Sequence, residues 1–372
     1  MIERINERLA QALLVTAATL AFLLCFLVCA DVIGRVAFNR PVKGTPEMVS
    51  FTIVIVCFLQ AMREKAAAAA IEIAGSSCLG MLIPPSVLMI VWGVLTEQAI
   101  GKIFIAGILP GLLLVAFYCA YIFWVAITAP HRVGAGRDAR APESDPGEAG
   151  FLAQLASTLL VVALIVGILG GIWLGAFTPT EGAGVGAAAS LALAMLKGMR
   201  AKALFEVILS VGRTSAPLLL LLFCAQLYSR VLSMTGITGM AKEFFVTSGL
   251  GQWGVLAVMV GTWFVLGCII DSISIILLTV PVFGPVAMAM GFDPLAFAIL
   301  GILAIETGLL TPPFGILVFT VRASLGSEGM TLAEIFRGAI PYWICLLVVL
   351  AVIAAFPRIA SWLPQVGLAL GR

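Results

Sequence analysis

The segment GCIIDSISIILLTVPVFGPV sets Asp271, Ser272, Ser274 and Thr279 among apolar neighbours, with Pro281 and Pro285 close behind. A second segment, AIETGLLTPPFG, places Glu306, Gly308 and Thr311 ahead of the pair Pro312 and Pro313. A third, GMLIPPS, places Pro84 and Pro85 just before Ser86. The chemistry on offer is that of hard oxygen donors, since hydroxyls, a carboxylate and backbone carbonyls suit a small cation. A proline has no amide to donate and clashes with the preceding turn, so a proline pair ends one half-helix and frees its last carbonyls. The half-helix that follows presents a positive N-terminus, which attracts a carboxylate. In hydrocarbon such breaks are tolerated where they line a protein cavity; kinks kept only for packing are the plainer alternative.

Other candidates carry the same choice. An acid at membrane depth marks a functional site by default, yet Asp271 would serve equally as the N-cap of a half-helix. Glu306 either pairs with Arg230 or Arg322 or lies at an aqueous face. Thr178, Thr180 and Glu181, in FTPTEGAGVGAAAS, either cap a helix or touch solute. That glycine-rich stretch lacks the Gly-Lys-Ser/Thr ending of a phosphate loop, and Gly182 with Gly186 reads as a face for close helix packing.

These residues need elements to hold them, and composition says which. Of 372 residues, 62% are hydrophobic and 11% charged, with a mean hydropathy of +1.16. Soluble domains are about one-quarter charged, so this is an all-α integral membrane protein. Apolar runs of spanning or near-spanning length cover 9–30, 48–62, 103–129, 151–177, 215–228, 253–270 and 340–356. With the interrupted runs added, the chain carries about eight to eleven membrane segments, broken half-helices among them. The run 9–30 is too long for a signal-peptide core and reads as a retained helix.

The remaining composition excludes other classes. A net charge of +2 with no basic stripe gives no reason to expect nucleic acid. The eight cysteines lack metal spacing and mostly sit inside apolar runs, as small membrane-core residues. The single histidine, His131, falls in a hydrophilic loop over 130–150. Lys197, Arg200, Lys202 and Arg213 mark a cytoplasmic segment, whose apolar positions suit a helix lying along the interface.

Two of the segments are copies. GMLIPPS recurs as GLLTPPF 228 residues later, and GILP at 107–110 recurs as GAIP at 338–341, 231 residues later. Paired interruptions at corresponding places in two halves point to the binding site of a secondary transporter built on inverted repeats. In the second repeat Pro281 and Pro285 are expected to bend the chain back into a re-entrant hairpin. Asp271, Ser272, Ser274, Thr311 and the carbonyls beside Pro312 and Pro313 should then gather around a midplane cavity.

GMLIPPSVLMIVWGVLTEQAIGKIFIAGILPGLLL, TPTEGAGVGA, DSISIILLTVPVFGPV and IETGLLTPPFGILVF together resemble the large membrane subunit of the tripartite ATP-independent periplasmic (TRAP) transporters. The resemblance runs from about Ala74 to the C-terminus. ADVIGRVAFNRPVKGTPEMVSFTIVIVCFLQA, over 30–61, instead resembles the start of the small subunit. The division this implies is small-subunit-like helices over 1–62, a truncated first repeat over 63–129, the loop 130–150 and the second half over 151–372. A first hairpin matching DSISIILLTVP is missing before Pro84, at a junction near Arg63, and Leu317 stands where the family often has Asn.

The resemblance implies uptake of carboxylate solutes, often C4-dicarboxylates, coupled to sodium and delivered by a periplasmic binding protein across the bacterial inner membrane. It implies elevator motion, a separate small permease subunit as a further partner, no cofactor, and sodium held by Ser272, Ser274 and Thr311. Ser86, Pro84, Pro85, Asp271, Gly308, Pro312 and Pro313 complete the expected ion and solute site, with Thr178, Thr180, Glu181, Glu306 and Arg230 as further candidates. The alternatives are a truncated, non-transporting remnant and a membrane-embedded enzyme, for which the sequence offers no Ser/His pair, HExxH or paired catalytic carboxylates.

Overall fold

A computed structural model describes residues 75–84, 86–128, 160–324 (without 161–162, 165–166, 169, 173–175 and 197) and 331–370. The small-subunit-like segment, the Arg63 junction, the loop 130–150 and Pro85 lie outside the described residues. Within them the regular structure is helical. In chain order the helices are α1 (Gly75–Leu82), α2 (Val87–Thr96), α3 (Ile100–Thr128), α4 (Pro179–Leu196), α5 (Ala201–Met234) and α6 (Ile237–Thr247). They continue as α7 (Gly251–Gly267), α8 (Ser272–Ala289), α9 (Pro294–Leu309), α10 (Ile316–Ser324), α11 (Leu332–Ala355) and α12 (Arg358–Leu370). Four of these, α3, α5, α8 and α11, are long and apolar enough to cross a membrane, and α1 with α2 forms a fifth, broken span bent by 43°.

The core is built around α9. Every residue from Ala296 to Leu309 is buried, as expected for a helix apolar on all sides, and α2, α3, α7, α8, α11 and α12 all pack on it. Trp92 and Trp263 meet edge to face at 5.8 Å, both touching Phe297, over the space left by Gly301. Gly267 and Gly308 let α7 and α9 touch backbone to backbone: a Cβ on Gly267 would lie 2.6 Å from the Ile305 carbonyl, and one on Gly308 would collide with that of Phe264.

The repeat is present in three dimensions. The α1–α2 break answers the break between α9 and α10, and the following long helices α3 and α11 carry Pro110 and Pro341 at corresponding places. Cys78 Sγ lies 3.9 Å from the Glu306 carbonyl oxygen, and these positions are 228 residues apart, the same offset as the two proline pairs. Equivalent positions therefore meet each other. The chain advances from Cys78 to Trp92 as its partner recedes from Glu306 to Gly301 and Phe297, so the broken helices cross in opposite directions, as inverted repeats require.

Two expectations need correction. The bend at Pro281 and Pro285 is absent: α8 is one helix through both prolines. Prolines four residues apart lie on one face, so their missing amides fall in a single line and the other hydrogen bonds continue. The chain reverses instead at Cys268–Asp271, and Trp263 Nε1 donates to Thr279 Oγ1 at 2.7 Å between the antiparallel α7 and α8. Residues 201–234, read as an interfacial helix followed by a span, form one 34-residue helix with Pro217 inside it.

The backbone contact of α7 with α9 gives a direct test. Gly308→Ala should lower the thermal midpoint of the detergent-purified chain, by about 1–3 kcal/mol for an overpacked core. Gly184→Ala, where an added Cβ meets nothing within 4 Å inside a helix, should leave it unchanged or raise it slightly; equal midpoints for the two variants would refute the close contact.

Candidate functional site

At the first break Pro84 and Ser86 are buried. Pro85, as an imino acid, has no amide for the Met81 carbonyl four residues before it. The Ser86 hydroxyl fills the gap, donating to Met81 O at 2.6 Å while its oxygen accepts from the Met89 amide at 3.5 Å to cap α2. One side chain thus closes the outgoing end of one half-helix and the incoming end of the next. The carbonyl expected to stand free for a cation is already engaged.

At the second break Thr311 Oγ1 donates to Thr307 O at 2.7 Å, replacing the amide of Thr311, which bonds to Gly308 O instead. The Leu310 amide also reaches Thr307 O, at 3.3 Å. Thr307 Oγ1 donates in turn to Leu303 O at 2.6 Å. Pro312 and Pro313 follow on the exposed side.

The N-terminus of α8 completes the group. Asp271 is the N-cap: one carboxylate oxygen accepts the Ser274 amide at 3.0 Å and the other the Ser274 hydroxyl at 2.7 Å. Asp271 itself is exposed. Ser272 points the other way, into the interior, where its hydroxyl donates to Glu306 Oε1 at 2.9 Å. Glu306 is 2% exposed; it is not at an aqueous face, and among the described residues it forms no ion pair with Arg230, which stands exposed on α5.

The structure therefore joins Ser272 to Glu306, Asp271 to Ser274, and Thr311 to the helix end that bears Glu306. Helix α8 also packs along α2, so the half-helix after the first break shares a wall with this group. In each of Ser272, Ser274 and Thr311 the hydroxyl proton is turned onto an acceptor-only oxygen. Its lone pairs remain to face a cation. An open apolar cleft of about 480 Å³ lies elsewhere, lined by Trp253, Leu256, Val260, Phe264, Ala304 and Leu350.

Thr178, Thr180 and Glu181 do not join the group. The Thr178 amide and hydroxyl donate to Glu181 Oε2 at 2.8 and 3.0 Å, and the Glu181 amide returns a bond to Thr178 Oγ1. That reciprocal box caps α4 on an exposed surface. Behind it Gly182 and Gly186 receive the side chains of Ile172 and Ile168, the close packing read from the GxxxG spacing. Sequence reasoning missed Cys78, taken for a small core residue; the signal available was its offset of 228 from Glu306.

A family model described as "Tripartite ATP-independent periplasmic transporter, DctM component" matches residues 52–359. The match begins before the Arg63 junction and takes in the end of the segment 30–61. The C4-dicarboxylate TRAP transporter large permease protein DctM of Pseudomonas aeruginosa is 34% identical over 299 residues, 79% of this chain and 66% of that protein. The sialic acid TRAP transporter large permease protein SiaM of Vibrio cholerae is 29% identical over 301 residues, 80% of this chain and 68% of its own length. The ectoine/5-hydroxyectoine TRAP transporter large permease protein UehC of Ruegeria pomeroyi is 32% identical over 294 residues, 78% of this chain and 66% of its own length. The chain spans about two thirds of the length of these relatives.

If Ser86 satisfies the first break, Ser86→Ala leaves the Met81 carbonyl without its donor and α2 without its cap. Thermal unfolding of the purified variant should then show a loss of about 1–3 kcal/mol. Ser274→Ala removes a hydroxyl from a cap that keeps its backbone amide, and should stay within about 0.5 kcal/mol of the unmodified chain.

Proposed function

Because the chain belongs to the DctM family of tripartite ATP-independent periplasmic transporters, a multi-pass inner-membrane family of permeases, we propose that it carries a carboxylate solute inward, coupled to sodium. The observation that carries this reading is that three hydroxyls at these helix ends each donate to a neighbouring oxygen. Ser272, Ser274 and Thr311 each give their proton to a neighbouring oxygen, which leaves hard oxygen lone pairs of the kind a small cation takes. The half-helix α2, with Ser86 at its N-terminus, supplies the positive end that suits a carboxylate.

The solute class rests on chemistry and on relatives. Three of the related permeases are named for C4-dicarboxylates, two for sialic acid and two for ectoine; each of these solutes carries a carboxylate, and a C4-dicarboxylate is the first candidate. A periplasmic solute-binding protein would deliver it and a small permease subunit would complete the assembly. Motion of the repeat containing α8 and α9 as a rigid elevator body fits the dense packing of α9. A second reading, a membrane protein that inserts without transporting, rests on the lack of a segment matching DSISIILLTVP before Pro84.

Reconstitution in liposomes with a binding protein and an imposed sodium gradient tests both. Uptake of a C4-dicarboxylate should require sodium and proceed without ATP. Thr311→Val, which removes one oxygen, should raise the sodium concentration for half-maximal uptake about tenfold, a loss near 1.4 kcal/mol. Undiminished uptake in sodium-free medium would overturn the coupling, and no uptake under any gradient would favour the second reading.

A further inference from the structure

Glu306 is the buried acid that the cation-site reading leaves unused. Its side chain holds Ser272 of α8 at 2.9 Å, while its backbone carbonyl meets Cys78 of α1 at 3.9 Å. Its neighbours on α9, from Ala296 to Leu309, are all buried, so the carboxyl has little freedom to turn elsewhere. A serine hydroxyl rotates freely about its C–O bond unless something takes its proton. Glu306 takes it, and so fixes where the Ser272 lone pairs point.

We propose that Glu306 is a positioning residue for the cation site: it orients the Ser272 hydroxyl at the start of α8 without itself touching the ion. The inference rests on the reading of that end of α8 as the sodium site. It differs from a ligand role in what it requires of Glu306, namely an acceptor oxygen in the right place rather than a negative charge. Asp271, exposed and engaged with Ser274, supplies the charge nearest to the expected ion in sequence.

The sodium dependence of thermal stability in the detergent-purified chain, with choline replacing sodium as control, tests this without any need for transport. A bound ion stabilises in proportion to the logarithm of its saturation, so the midpoints yield an apparent sodium affinity. Glu306→Gln keeps an acceptor for Ser272 and should hold the affinity within about threefold. Glu306→Ala and Ser272→Ala should each weaken it about tenfold or more, the range seen when the group supporting a metal ligand is removed. The double variant Ser272→Ala/Glu306→Gln should be no weaker than Ser272→Ala alone.

Equal losses in Glu306→Gln and Glu306→Ala would make Glu306 a ligand and overturn the proposal, as would additive losses in the double variant. A lower midpoint with unchanged sodium affinity in Glu306→Ala would reduce it to a structural role. Should Glu306→Ala fail to fold, Glu306→Gln, Ser272→Ala and their combination still decide the matter. No sodium response in the unmodified chain would overturn the sodium reading itself, a result distinct from a response that the variants leave intact.

Discussion

A carbonyl stripped of its amide partner inside a membrane protein must find another donor, because the surrounding hydrocarbon offers none. Two proline pairs impose that condition on this chain twice. At the first break the Ser86 hydroxyl reaches back to Met81; at the second the Thr311 amide turns to Gly308 O, the carbonyl that Pro312 leaves without a donor, and the Thr311 hydroxyl bonds to Thr307 O. The hydroxyl stands after the prolines in one repeat and before them in the other. The two bonds stand at different places in the repeats, since Met81 answers to Leu309, and Thr307 answers to Leu79, whose carbonyl takes the Ile83 amide. With the carbonyls satisfied, both broken helices can be buried side by side, and α9 can occupy the centre of the bundle with close packing on every side.

That burial in turn fixes where polar chemistry can sit. The middle of the described bundle is held by Trp92, Trp263 and Phe297 and by backbone contact at Gly267 and Gly308, and the Thr279 hydroxyl beside them is taken up by Trp263 Nε1 and Ile275 O. The oxygen ligands of the candidate site lie instead at the ends of helices, where the C-terminal end of α9 meets the N-terminal end of α8. Asp271 and Ser272 are adjacent in sequence but belong to different environments there, one exposed and capping, the other buried and bonded to Glu306. A helix N-terminus separates neighbouring side chains in this way because successive residues point about 100° apart.

Features governed by local rules were legible in the sequence. Proline pairs announced the breaks and equal spacings announced the repeat, while Thr178, Thr180 and Glu181 offered the cap of α4 as one of two open readings. Asp271 as an N-cap was one of two open readings, and it is the one the contacts show. Pro281 and Pro285 misled, since prolines signal a break only when the freed carbonyls cannot be tolerated along one face, which local sequence does not reveal. The partner of Glu306 was not legible either. Ser272 lies 34 residues away, and only the reversal at Cys268–Asp271 brings the two together, whereas the arginines suggested themselves by charge alone.

The crossing of the repeats at Cys78 and Glu306 has an energetic consequence. Were the two halves identical, each conformation would have a counterpart of equal free energy in which the halves exchange roles, and neither would be preferred. At the crossing each position faces its own equivalent, so two glutamates there would set like charges against each other. The chain instead places a carboxylate in one half and a thiol in the other. Exchanging the roles of the halves then moves that carboxylate relative to all its neighbours, and the degeneracy is lifted. That pair is one of several differences between the halves, with Thr311 against Ile83 and Phe314 against Ser86, and any such difference makes the two arrangements unequal in free energy.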